Sequence, residues 1–334
     1  MKKTLKLILG SLMSLILLAS CGGGGQDQPA TEAPEETSSD IKRIGVIQLV
    51  EHESLDQAYK GFIDGLSEKG YTEGENLELD FNNAQGDQSN TTTIAQKLVN
   101  DQPDLIFAIA TPAAQAVANQ TTEIPVVITA VTDPQLAGLV DSNEAPGGNI
   151  TGTSDLTPVK EQINLIKEIS PEANSVGILY TSSEDNSILQ AELAVEAAEE
   201  AGLTAEEFTV SKTEDIMAVT QSLVGKVDAV YIPTDNLLAA NIPAVSQILT
   251  PAGIPLIVGA TGMMEEGALA TKGLDYYELG KQTADMAIRV LEGEDPATMA
   301  IEYQENSALY MNQKIIDELG IEIPESVLEQ AEIK

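Results

Sequence analysis

The chain has one cysteine, one histidine and no tryptophan in 334 residues. A single cysteine excludes a disulfide within the chain, so stability must come from packed cores. One histidine and one cysteine exclude Cys–His catalysis and most zinc sites, and no metal is expected. A Ser–His–Asp triad would have to use His52, and no G-x-S-x-G elbow is present. No G-x-G-x-x-G and no P-loop follows a strand-like run, so no nucleotide cofactor is expected. The glycines that do cluster are Gly22–Gly25, in a polar stretch, and the pair Gly147 and Gly148. An enzyme is therefore not expected. With 4 Phe and 8 Tyr, an aromatic cage for a sugar or a quaternary amine is not expected either. Bases are also scarce: 17 Lys and Arg stand against 53 Asp and Glu, a formal charge of −36. That balance disfavours nucleic acid and anionic lipid, and fits simple solubility.

Long apolar runs are missing too, except near residue 1. Lys2, Lys3 and Lys6 precede LILGSLMSLILL (7–18), a run too short to span a bilayer comfortably and suited to a signal peptide. LASC (18–21) follows: an apolar residue, two small ones and Cys21, the lipobox pattern. The expectation is a signal peptide over 1–20, a lipid on Cys21, and a place on the outer face of the cytoplasmic membrane. Residues 21–40 are Gly-rich, polar and acidic, cannot bury a core, and read as a flexible tether.

From residue 42 the chain alternates short apolar runs with helical spacing. Strand-like runs are IGVIQLV (44–50), LELDF (77–81), DLIFAIA (104–110), IPVVIT (124–129), SVGILY (175–180), 204–210, DAVYI (228–232) and GIPLIV (253–258). Helical spacing covers 54–69, 90–100, 111–119, 187–202, 214–224, 234–240, 276–291 and 313–319. The order repeats, and so does the phrasing: PDLIFAIAT (103–111) parallels VDAVYIPT (227–234), and IPVVI (124–128) parallels IPLIV (254–258). Strands alternating with helices predict parallel sheets. The expected fold class is α/β, with two similar doubly wound lobes joined by three strands. Lobe 1 takes 41–154 and 274–302, and lobe 2 takes 155–273 and 303–334. A cleft between lobes would close on a ligand by hinge motion.

The motifs IGVIQLVEHESLDQAYKGFIDGL (44–66), NAQGDQSNTTTIAQKLV (83–99), LIFAIATPAAQA (105–116), IPVVITAVTDPQLAGLV (124–140), PGGNITGTSD (146–155) and DAVYIPTDN (228–236) span nearly the whole folded chain. In this order they resemble the ABC transporter substrate-binding lipoproteins that bind aromatic amino acids, on a periplasmic-binding-protein type I fold. The resemblance implies a small-molecule ligand, most closely an aromatic amino acid, and an ABC permease as partner, with the binding protein a monomer. A sugar or nucleoside ligand on the same fold, or a sensor presenting to a membrane receptor, are the alternatives.

In doubly wound sheets ligands sit at the carboxyl ends of strands. Those ends put forward His52, Ser54, Thr111, Thr129, Ala130, Thr132, Tyr180, Asn186, Asp235, Asn236 and Thr261, with Asp155 and Asp275 near the crossings. Thr111 and Pro112 open a helix whose N–H groups suit a carboxylate. The resemblance adds Thr129, Ala130 and Thr132 to that carboxylate site. An α-amino group needs an acidic acceptor: Asp235 first, then Asp155. His52 and Tyr180 could stack on a planar ligand.

Overall fold

The computed structural model describes residues 41–265, 267–304 and 307–334. The expected signal peptide and tether, with Cys21, lie outside them. The first half runs β1 (Lys42–Gln48), α1 (Glu53–Glu68), β2 (Leu77–Asn83), α2 (Gln88–Asp101), β3 (Leu105–Ile109), α3 (Thr111–Ala118), β4 (Val126–Val131) and β5 (Ile150–Ser154). The second half continues with α4 (Val159–Ile169), β6 (Ser175–Thr181), α5 (Asp185–Glu200), β7 (Thr204–Val210), α6 (Thr213–Leu223), β8 (Ala229–Ile232), α7 (Asn236–Ala239), α8 (Ile242–Leu249), β9 (Leu256–Val258), α9 (Gly262–Glu265) and β10 (Ala270–Gly273). The last stretch is α10 (Tyr276–Leu291), β11 (Glu302–Tyr303), β12 (Ala308–Met311), α11 (Gln313–Leu319), α12 (Glu325–Leu328) and β13 (Ala331–Ile333).

The strands form two sheets, ordered β11-β5-β4-β3-β1-β2 and β13-β12-β10-β9-β8-β6-β7. Among the described residues every strand pairing is parallel except β10 with β12. Two doubly wound α/β lobes result, as the repeated phrasing predicts, and not one continuous sheet. In lobe 1, α1 and α10 cover one face and α2 and α3 the other. In lobe 2, α4 and α5 cover one face, and α6, paired with α8, lies on the other. The chain leaves the first sheet after β5, leaves the second after β10, and places β11 in the first and β12 in the second.

Strands β3 and β4 are buried along their whole length, which is why they read as unbroken apolar runs. Helix α1 turns Leu55, Ala58, Phe62 and Leu66 inward, and Phe62 stacks on Phe107 with ring centroids 3.8 Å apart. Burying each such side chain contributes about 1.5–3 kcal/mol. α1 and α10 cross unusually closely. A Cβ at Gly61 would lie 1.9 Å from the Tyr277 carbonyl oxygen, and one at Gly280 2.0 Å from that of Ala58. This crossing fixes the start of α10, and so Tyr276, against lobe 1. The sequence pattern leaves out α4, whose Val159, Ile163, Ile166 and Ile169 form its buried stripe, and α8.

Candidate functional site

The carboxyl ends of both sheets face each other across a cleft. At its centre lies a small chamber lined from lobe 1 by His52, Leu55, Ala130, Thr132, Asp155 and Tyr276. Lobe 2 supplies Asn186, Thr234, Asp235, Asn236, Ala239, Ala260 and Met263. Its free volume is only about 10 Å³, far below the roughly 300–1,000 Å³ of small-molecule sites, so the facing side chains nearly fill it. Its walls are closed: His52 Nε2 lies 3.5 Å from Asn236 Oδ1, and Gln190 of lobe 2 donates to Thr132 of lobe 1 at 3.2 Å. A second, outer chamber holds Thr111, Asp133 and Leu136 from lobe 1 and Asp185, Asn186 and Leu189 from lobe 2. Asn186 lines both chambers.

Backbone strain shapes the lobe 1 wall. Ala110 and Ala130 follow or end buried strands with φ of 85° and 53°, in the region that L side chains avoid. Next to Ala130 the β4–β5 register breaks between Ile128 and Val131. Gly152 supplies the close approach there: a Cβ on it would lie 2.1 Å from the Ile128 carbonyl oxygen. The bulge turns Ala130 and Thr132 toward the cleft and leaves Thr129 facing the core.

Asp155 is the central acid. It is 3 % exposed, accepts from the Tyr276 hydroxyl at 2.7 Å and meets Thr132 Oγ1 at 3.4 Å. Burial lifts its carboxyl to about 6, against the pull of those two donors. His52 moves the other way, to about 4, because burial disfavours its cation. It is neutral at physiological pH. Asn236 Nδ2 donates to Glu184 at 2.6 Å, so its Oδ1 is the acceptor that faces Nε2–H of His52. That leaves Nδ1 of His52 as a free acceptor.

Asp235 is placed differently from the expectation that it meets an amine. It lines the chamber and is buried, but three bonds within lobe 2 already hold it: Oδ2 accepts from Thr181 N at 2.6 Å, and Oδ1 from Thr181 Oγ1 and Leu238 N, each at 2.8 Å. It is the cap of α7 and the tie to β6.

Three further expectations are not brought to the centre. Thr129 is fully buried and bonds Thr153 and Thr283 inside lobe 1. Tyr180 lies on the α5 side of its sheet and donates to Glu207 at 3.2 Å. Asp275 is exposed and caps α10 through Tyr277 N and Glu278 N. Ser54 and Thr261 line a separate space beside Tyr276. Thr261 is occupied there by the Leu274 carbonyl at 3.0 Å. Thr111 Oγ1 and Asn186 Oδ1 are buried without a partner; such atoms in a cleft suit a polar ligand.

Sequence reasoning missed Tyr276, Thr234 and Glu184. Glu184 receives Asn236 N, Asn236 Nδ2 and Leu237 N at 2.6–3.3 Å. Burial first, then the neighbouring Asp235 charge, raises its carboxyl to about 7. Only the cap-like position before α5 could have pointed to it. Among the described residues no group of three or more His, Cys, Asp or Glu is placed to hold a metal ion, and no helix is long and apolar enough to cross a membrane.

Known proteins share this build. A tyrosine-binding protein of Clostridioides difficile (strain R20291) is 40 % identical over 321 residues, covering 96 % of this chain and 93 % of its own. The ABC domain of Streptococcus pneumoniae, crystallised in complex with L-Trp, is 43 % identical, covers 88 % of this chain and 99 % of its own, and superposes with a TM-score of 0.85. A ligand-free, open substrate-binding protein with adhesive properties from Clostridium difficile is 41 % identical with the same coverage, yet its TM-score is only 0.68. The chain as a whole thus superposes better on the L-Trp complex than on the open, ligand-free protein. The family of ABC transporter substrate binding proteins matches residues 43–334, and this chain belongs to it, with the two-lobed periplasmic-binding-protein type I fold.

Proposed function

We propose that the chain captures a free aromatic amino acid, tyrosine or tryptophan, outside the cytoplasm and delivers it to an ABC permease. The observation that carries this is the near-full-length likeness to relatives named for tyrosine and crystallised with L-Trp. The cleft agrees with it. The amino acid's ammonium sits against Asp155 and the unpaired Asn186 Oδ1. Its carboxylate meets the unpaired Thr111 Oγ1 and the start of α3. Its ring lies among Leu55, Ala239 and Met263, beside His52. Because the central chamber is small and closed, the ligand enters with the lobes parted and is enclosed when they meet. Asp155 replaces Asp235 as the amine's acceptor, since Asp235 is already spent on α7. The chain is held at the membrane by a lipid on Cys21 after removal of residues 1–20.

Native mass spectrometry of the chain purified from its producing cell tests the ligand. A bound species of the mass of tyrosine or tryptophan supports the reading, and a bound sugar or nucleoside refutes it. Labelling cells with a fatty-acid probe tests the anchor: label that persists in Cys21→Ala contradicts it.

A further inference from the structure

Two independent features meet at one contact between the lobes. The first is Ser54, in the opening turn of α1. It is 2 % exposed, and its hydroxyl oxygen is buried with no hydrogen-bond partner. The second is Gly262, which opens α9 in lobe 2 directly opposite. A Cβ on Gly262 would lie 2.5 Å from Ser54 Oγ, 2.7 Å from Ser54 N and 3.0 Å from the Glu53 Cβ. The two lobes reach their observed distance only because residue 262 has no side chain. They reach it at the cost of burying a hydroxyl that nothing receives.

We propose that the Ser54–Gly262 contact sets the balance between open and closed lobes, and with it the affinity for every ligand the cleft takes. Parting the lobes withdraws Gly262 from Ser54 and returns the hydroxyl to water, where it is satisfied. Closing strips it. The unmatched hydroxyl is a bias toward opening, and so toward release to the permease. Gly262 keeps that bias small enough for closure to occur. A closed state held below full population weakens apparent affinity by the same fraction whatever the ligand. This makes Ser54 a residue that acts through lobe closure and not by touching ligand. It rests on the proposed function only in taking this cleft as the ligand site.

The sign of one substitution separates the two roles. Ser54→Ala removes the unmatched hydroxyl and breaks no hydrogen bond, so L-Tyr and L-Trp should each bind about tenfold tighter. Gly262→Ala places a methyl against backbone, and both ligands should bind at least tenfold more weakly. The melting temperature without ligand should stay near that of the unmodified chain in both variants, showing that they fold. A ligand-independent reading completes the test. Fluorophores at Leu136→Cys in lobe 1 and Leu193→Cys on α5 of lobe 2, both exposed positions, in a Cys21→Ser background, report lobe separation in the empty protein. Ser54→Ala should shorten the mean distance and Gly262→Ala should lengthen it. Weaker binding in Ser54→Ala, a change confined to one amino acid, or unaltered separations in both variants would overturn the proposal. If the unmodified chain binds no aromatic amino acid, the ligand reading fails, while the separations still decide the lobe-balance proposal.

Discussion

The Tyr276 hydroxyl donates to Asp155 Oδ2 at 2.7 Å, joining the residue that follows β5 to the first residue of α10. These are the places where the chain leaves one sheet for the other. The central acid of the cleft is therefore fixed by the segments that connect the two sheets. A ligand held by Asp155 would be held beside both crossings.

If Asp155 is the amine's acceptor, Asp155→Asn should weaken L-Tyr and L-Trp binding by one to two orders of magnitude, because a charge-assisted bond is lost in a buried site. Tyr276→Phe should cost less, several-fold, since it removes only the donor that orients the acid. Isothermal titration of both variants checks this. Full affinity in Asp155→Asn would move the amine elsewhere.

Binding should depend on pH with a definite sign. The ligand's ammonium needs the ionised Asp155, whose carboxyl sits at about 6. Affinity should therefore rise as pH goes from 5 to 7, with proton release on binding, and the profile should flatten in Asp155→Asn. Stability of the empty protein should run the other way. Asp155 is raised from 3.8 to about 6 and Glu184 from 4.5 to about 7, so the folded chain holds protons the unfolded chain has lost. Their share of stability is present at low pH and is lost as pH rises through the folded values; for Asp155 it is about 3 kcal/mol at most. His52, lowered to about 4, opposes this between about 4 and 6.5. The melting temperature should fall from pH 5.5 to pH 7.5, less steeply in Asp155→Asn than in the unmodified chain; equal slopes would contradict the assignment.

Glu184 touches no cleft space directly but holds Asn236, which faces His52. Glu184→Ala strands the backbone N–H groups of Asn236 and Leu237, a loss of about 1–3 kcal/mol in stability. It should also weaken all amino-acid ligands alike, because Asn236 and Asn186 lose their common acceptor. Differential scanning and titration together check both effects. Unchanged affinity in a folded Glu184→Ala would remove this residue from the site.

The α1–α10 crossing should tolerate no side chain. Gly61→Ala forces the helices apart and should destabilise the chain by about 1–3 kcal/mol or more, measured by denaturant unfolding. An unaffected midpoint would show that the crossing yields readily.

Much of the fold was legible because parallel strands buried on both faces leave continuous apolar runs. DLIFAIA and DAVYI announce β3 and β8, and their repetition announces two lobes. The site was legible only as a set of loops. Which way a strand-end side chain faces depends on local irregularities that no periodicity carries. The bulge beside Ala130 and Gly152 sends Thr132 to the cleft and Thr129 to the core. Asp235 has the right place for a ligand acid, but whether its oxygens are free depends on Thr181, far away in sequence. Tyr276 was visible as the start of an amphipathic helix, yet its meeting with Asp155 needs the second crossing and the close α1–α10 packing.

The most direct test is thermal melting of the full chain, unfolded and refolded to strip carried ligand, against the twenty amino acids, sugars and nucleosides. A ligand that binds only the folded state adds roughly 4 kcal/mol at a thousandfold excess over Kd. L-Tyr and L-Trp should each raise the melting temperature clearly, with aliphatic amino acids, sugars and nucleosides far behind. A shift with a sugar or nucleoside and none with any aromatic amino acid would contradict the ligand proposed for this cleft.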